Sequence, residues 1–144
     1  FSPNRGKKEI IMEKELTVSG GVIHPGQIAG INKHYRKYSF RTFLQAQQRL
    51  GIEKIELWCG TPHVFLDGRT AVDAVGLKKE MGAYGVSAIA LTCPSMSYQY
   101  QYSALPEHRE QSLAYFSQGL KLACELECPI MTLNIFYVII QSFF

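Results

Sequence analysis

At 144 residues, with 47% hydrophobic and 19% charged side chains, the chain holds material for one domain with a full core and is not compositionally disordered. Its formal charge of +3 is uneven: residues 1–41 carry eight Lys/Arg against three Glu, and the remainder carries seven basic against nine acidic side chains. The basic excess is scattered rather than striped, which argues for a solvated face and against a nucleic-acid partner.

Residues 1–11, FSPNRGKKEII, lack apolar periodicity and precede Met12, so they read as a non-native or disordered leader to a coherent segment, 12–134. Residues 16–19 (LTVS) alternate as a short strand that ends at Gly20 and Gly21. A polar loop follows. Ser39 is placed as the N-cap of a helix running to Leu50, with Phe40, Phe43, Leu44 and Ala46/Gln47 at helical spacing, and Gly51 closes it. The second strand is 54–58. A second helix is expected over about 70–84, with Val72, Val75, Leu77 and Met81 on its apolar side and Gly85 as its stop.

The uncharged run VSAIAL, 86–91, reads as a buried third strand. Pro106 in a first turn with Glu107 and Glu110 opens a third helix, which reaches about Leu126 with an apolar stripe of Leu113, Phe116, Leu120, Ala123 and Cys124. Pro129 then leads into a fourth strand, PIMTL. The tail 135–144, IFYVIIQSFF, is apolar, uncharged and of uncertain origin. Asn134 and Gln141 interrupt the apolar run, which falls short of the roughly 20 residues a membrane span needs.

Short apolar strands alternating with amphipathic helices predict the α/β class, a parallel sheet covered by helices. Two architectures fit: an open doubly wound sheet, or part of a (β/α)8 TIM barrel. No G-x-G-x-x-G joins the first strand to a helix, which weakens the dinucleotide-binding version of the first. Both gather function at the carboxyl ends of the strands. The cysteines at 59, 93, 124 and 128 form no CxxC and no zinc-finger spacing, so they read as reduced thiols of a cytoplasmic protein. Cys59 and Cys93 stand at equivalent strand ends, where they can meet, although simple burial accounts for both.

The second strand carries the chemistry. In EKIELWCGTPH, Ile55 and Leu57 share one face and Glu56 and Trp58 the other. A carboxylate on a strand face needs a partner, either a polar ligand or a neighbouring strand. Trp58 offers a flat apolar wall and His63 a donor or acceptor beyond the Gly60/Pro62 turn, a suitable lining for a sugar. The alternatives are a purely structural hydrogen bond for Glu56 and an ordinary loop role for His63.

The run GIEKIELWCGTPHVF, the strand ending in TCPSMSYQYQYS, and the helix PEHREQSLAYFSQGLKLACEL together resemble the sugar phosphate isomerase/epimerase superfamily. Its fold is the xylose-isomerase-like TIM barrel, and the nearest types are fructoselysine and ketose 3-epimerases. The shared features are the Ile55–His63 pattern and the R-x-x-S of Arg109 and Ser112, and the similarity spans about residues 16–134.

The resemblance implies a partial barrel of about four βα units with outer helices, forming the N-terminal half of a metal-dependent isomerase or epimerase. It implies a small sugar or sugar derivative as ligand. The implied substrate-binding residues are Glu56, Trp58, His63, Tyr98 and Tyr100, the tyrosines otherwise reading as loop packing. The divalent metal, manganese or magnesium, is held in that family by carboxylates and a histidine on later strands. No catalytic residue or metal ligand is therefore expected within these 144 residues, and the fragment alone is expected to be inactive. Association of copies through an open sheet edge is a further expectation. Two alternatives stay open: an endonuclease-like member of the same superfamily, and a non-catalytic binding module on the same scaffold.

Overall fold

The computed structural model describes residues 16–18, 21–94 and 105–133. The chain opens with an antiparallel hairpin, Leu16–Val18 (β1) against Gly21–Ile23 (β2). The expected first strand is therefore not part of the parallel sheet. A Ser-Gly pair between two short apolar runs is a hairpin signal, and Val18 faces Gly21 across it.

The parallel sheet begins instead with the two-residue strand Gly30–Ile31 (β3), followed by Lys54–Trp58 (β4), Ser87–Cys93 (β5) and Ile130–Leu133 (β6). The order is sequential, β3-β4-β5-β6, and every pairing is parallel. No reversal of strand order, the mark of a doubly wound sheet, occurs among the described strands. A partial βα repeat is compatible with this arrangement.

Three helices connect the strands: Phe40–Leu50 (α1), Ala74–Ala83 (α2) and Pro106–Glu125 (α3). The α1 ends are as expected: Ser39 Oγ accepts from the Thr42 N–H, and Gly51 takes a left-handed φ of 67°. That conformation is cheap only without a Cβ. The start of α2 is Ala74, not residue 70, because Asp73 caps it by accepting from the Gly76 N–H. Residues 70–73 belong to the preceding loop.

The core lies between the helices and one face of the sheet. Ile55, Leu57, Leu91 and Cys93 are wholly buried there against Phe43 and Leu44 of α1, Met81 of α2, and Tyr115 and Leu122 of α3. Burying each of the larger apolar side chains contributes about 1.5–3 kcal/mol.

The expected apolar stripes of α2 and α3 are partly wrong. Val75 is exposed, as are Leu113, Leu120 and Cys124, while Phe116 is only partly buried. On α3 the inward face is Ser112, Tyr115, Gly119, Leu122 and Ala123. Gly119 sets that phase: a Cβ there would stand 2.7 Å from Cys93 Sγ and 2.8 Å from Met131 Cε. Close approach of helix to sheet puts the smallest residue inward, and periodicity of large side chains does not record it. Among the described residues, no helix is long and apolar enough to cross a membrane.

Candidate functional site

The site begins with an irregularity in β5. Ile55 pairs with Ala88, but Glu56 pairs with Ala90, so Ile89 is an extra residue in β5. A bulge of this kind reverses the alternation beyond it. Ala88 faces the core before the bulge, and Leu91 and Cys93 face it afterwards. Ala90 and Thr92 are thereby turned to the opposite face, beside Glu56 and Trp58. Strict alternation from Ala88 would have buried Thr92 and exposed Leu91.

On that face a row of polar groups crosses three strands. Thr92 Oγ1 donates to Glu56 Oε1, and the hydroxyls of Thr92 and Thr132 are hydrogen-bonded to each other. Each hydroxyl has one proton and a carboxylate oxygen accepts, so with Thr92 donating to Glu56 the row runs Thr132 to Thr92 to Glu56. Glu56 thus faces away from the helix layer and is partnered by a neighbouring strand. Thr92 and Thr132 are directly opposed in the β5–β6 ladder. Neither threonine was singled out from the sequence, since their placement depends on the bulge and the register.

The carboxyl end of β4 is held by a residue the sequence also did not flag. Asn32 begins the 3-10 turn Asn32–Tyr35 directly after β3 and is 0% exposed. Its Oδ1 accepts the Trp58 N–H at 2.7 Å, and its Nδ2 donates to the Trp58 carbonyl at 3.1 Å. The same Nδ2 lies 3.0 Å from His63 Nδ1. Because the Trp58 N–H needs an acceptor, the orientation of the amide is fixed, and its N–H group faces His63. His63 Nδ1 therefore accepts, and Nε2–H donates to the Tyr38 carbonyl at 2.9 Å. Both ring nitrogens are occupied within the protein, and the ring packs 5.6 Å from that of Phe40.

Trp58 is partly buried at the mouth of the sheet. Gly60 lies under its benzo edge, where any Cβ would overlap the ring. The Arg36 guanidinium sits over the indole, 5.8 Å from its centroid. The Thr61–Pro62 peptide between Trp58 and His63 is cis.

Behind this end, the thiol of Cys59 hydrogen-bonds Cys93, and that bond together with burial pushes it far above the ordinary thiol range. The loop after β4 is fastened to α3 by Gln118. Its Oε1 accepts from the Asp67 and Gly68 N–H groups at 2.9 and 2.7 Å, and its Nε2 donates to the Thr70 carbonyl. The Asp67 carboxylate accepts from the Thr70 hydroxyl and from the Thr70 and Arg69 N–H groups, which holds its pKa down at about 2.

Of the expected site residues, Glu56 and Trp58 share the sheet face opposite the helices, and His63 is tied to the β4 end through Asn32 and to the Tyr38 carbonyl. Tyr98 and Tyr100 lie outside the described residues. Arg109 is exposed, and Ser112 turns into the core. Among the described residues, no group of three or more His, Cys, Asp or Glu converges. Glu56 already receives Thr92, and both nitrogens of His63 are engaged. The chain matches no protein-family model, and comparisons with curated proteins and with solved structures find no match.

Proposed function

We propose that the carboxyl ends of β4, β5 and β6 bind a polyhydroxylated ligand of the sugar class. In this reading the chain supplies the substrate-side wall of a sugar isomerase or epimerase with a (β/α)8 architecture. The observation that carries the ligand class is the carboxylate–hydroxyl row of Glu56, Thr92 and Thr132 on the sheet face opposite the helices, with an indole beside it. Vicinal hydroxyls of a sugar are both donors and acceptors, and such a row meets them with a carboxylate oxygen and a threonine hydroxyl at strand spacing. The sequential parallel order with outer helices supports the architecture.

Within that function Glu56 binds and orients a hydroxyl. A role as the base that removes a proton next to a carbonyl is not assigned to it, because one carboxylate tied to a threonine lacks the second group and the electrophile which that reaction needs. Trp58 is the chain's single tryptophan, so its fluorescence reports on this site alone. Titration with D-fructose and D-xylulose is expected to give a saturable change in emission, weakened about 10-fold or more by Glu56→Ala and by Thr132→Val. A response that is flat up to high millimolar sugar, or one indifferent to both substitutions, rejects the assignment.

A further inference from the structure

We infer that a second copy of this chain docks along the β6 edge, about a two-fold axis perpendicular to the sheet. The two β6 strands then pair antiparallel and the two α3 helices pack side by side. The inference is independent of the ligand reading above, and three observations carry it.

The first is the phase of α3. With Ser112, Tyr115, Gly119, Leu122 and Ala123 inward, one flank of the helix carries Gln118 and Glu125. That flank faces α2 and the loop before it: Gln118 bonds the 67–70 turn, and Glu125 lines a cavity with Val72, Val75 and Lys78. Leu113 and Leu120 fall on the opposite flank, toward the β6 edge, and are 66% and 56% exposed. The exposed Cys124 follows one turn on, and after Arg109 this flank carries no charge. The solvent-facing positions Glu107, Glu110, Lys121 and Glu125 are charged, as a solvated helix face should be.

The second is that the strand edge and the helix flank close at the same distance. Among the described residues β6 pairs only with β5, so the outer backbone groups of Ile130–Leu133 face away from the sheet. The helix α3 sits over the gap between β5 and β6, since a Cβ on Gly119 would meet both Cys93 and Met131. Paired strands stand about 4.8 Å apart, so a two-fold midway between two β6 strands puts each α3 about one strand spacing from the axis. The two helices are then about 10 Å apart, where helices packed through their side chains stand.

The third is self-complementary charge. Glu110 and Lys121 are eleven residues apart, close to three turns, so both project on the solvent side of the Leu113–Leu120 stripe. Lys121 meets Glu125 of its own helix at 3.9 Å, an exposed pair that restrains it little. The midpoint of Glu110 and Lys121 and the midpoint of Leu113 and Leu120 both lie beside Phe116. A two-fold at that level sets Leu113 against Leu120 of the second copy and Glu110 against Lys121 of the second copy, each pair formed twice. The perpendicular axis keeps all helices on one face, so the Glu56–Thr92–Thr132 face of both copies stays open.

A short edge and one helix stripe make a small interface, which places the association among the weak ones, with a Kd on the order of 10–100 µM. Sedimentation equilibrium of the full chain on either side of that range is expected to show monomer and dimer. Leu113→Lys is expected to leave a monomer with unaltered far-ultraviolet circular dichroism. Glu110→Lys and Lys121→Glu are each expected to weaken the dimer about 10-fold, and the double variant to recover most of the loss. The two residues are too far apart to meet within one helix, so the rescue reads contact between copies. Ser117 stands beside the axis and Cys124 well away from it. Ser117→Cys in a Cys124→Ser background is therefore expected to give a disulfide-linked dimer with glutathione disulfide, and the wild-type chain none. A monomer at every concentration overturns the inference, as does a dimer indifferent to Leu113→Lys and to the charge exchange. A monomer that Leu113→Lys makes less stable to urea also overturns it, because the flank is then covered by the chain itself.

Discussion

The side-chain amide of Asn32 closes on both backbone groups of Trp58, accepting its N–H at 2.7 Å and donating to its carbonyl at 3.1 Å. A strand at the end of its ladder has unpaired backbone groups, and here a side chain from the neighbouring βα loop supplies the missing partner. Asn32→Leu keeps the volume and removes both bonds in a wholly buried place. It is expected to cost about 2–3 kcal/mol, read as a lower urea midpoint with an unchanged slope. Trp58 emission in the folded variant is expected to shift as well, because the indole loses its anchor. Stability and emission both equal to wild type would show that the clamp contributes nothing.

His63 offers a prediction about protons. With Asn32 donating to Nδ1 and the Tyr38 carbonyl accepting from Nε2, the neutral ring must be the Nε2–H tautomer. Long-range proton–nitrogen correlation spectra of the neutral ring are expected to show Nε2 protonated and Nδ1 bare. The Nδ1–H tautomer would require the Asn32 amide to be reversed, and the Trp58 N–H would then face another donor. A spectrum of that form would dismantle the clamp as described.

The exposed Asp67 carboxyl is held at about 2 by the Thr70 hydroxyl and two backbone N–H groups. A folded-state value below the unfolded one means that the contribution is present above the unfolded carboxylate value and is lost as pH falls through the folded value. The turn at 67–70 is therefore expected to persist through pH 4 and to release near pH 2. Carboxyl carbon shifts of Asp67 titrating in step with the Thr70 amide check this. A midpoint in the ordinary carboxylate range, near 4, would contradict it.

Thiol accessibility follows from the same packing. Cys59, Cys93 and Cys128 are buried and Cys124 is exposed. Hydrogen bonding to Cys93 and burial keep Cys59 protonated, and burial raises Cys128. A water-soluble disulfide reagent is expected to modify one thiol of the native chain quickly, lost in Cys124→Ser, and the other three only as the protein opens. Two fast thiols would mean that the strand-end core is open to solvent.

What the sequence disclosed, and what it did not, divides along physical lines. Local signals were legible: Ser39 and Gly51 around α1, Pro106 at α3, and the apolar alternation of β4 all stand where the residues put them. Glu56 and Trp58 on the face opposite Ile55 and Leu57 followed from the two-residue period alone. Three features were not legible because each depends on a partner far away in sequence. The bulge at Ile89, which brings Thr92 to Glu56, is defined only against β4. Asn32 looks like any loop asparagine until Trp58 is 26 residues on and beside it. The phase of α3 is set by how closely the helix approaches β5 and β6, and the larger residues Leu113 and Leu120 misled because they are the exposed ones.

That phase is directly testable. Leu122 is 1% exposed and Leu120 is 56% exposed, two residues apart on one helix. Leu122→Ala is expected to cost about 2–5 kcal/mol, and Leu120→Ala to stay within about 0.5 kcal/mol. Equal losses would mean that α3 is rotated from the orientation described.

Gly119 gives the sharper version. In an open helix, Gly→Ala stabilises by about 0.5–1 kcal/mol through backbone entropy. Here the new Cβ would stand 2.7 Å from Cys93 Sγ and 2.8 Å from Met131 Cε. Met131 is a flexible, partly buried side chain that can move aside, whereas the free thiol of Cys93 is 0% exposed and hydrogen-bonded with Cys59. Overpacking against the thiol is therefore expected to exceed the entropic gain, and Gly119→Ala to be destabilising by about 1–2 kcal/mol. If Cys93 is the obstacle, Cys93→Ala vacates the space, and Gly119→Ala in that background is expected to be neutral or stabilising. The double-mutant cycle then gives a coupling of about 1 kcal/mol or more, measured by urea unfolding. Strict additivity, or a stabilising Gly119→Ala in the wild-type chain, would place α3 farther from β5 than the close contact described and remove the reason for a glycine at the centre of the helix.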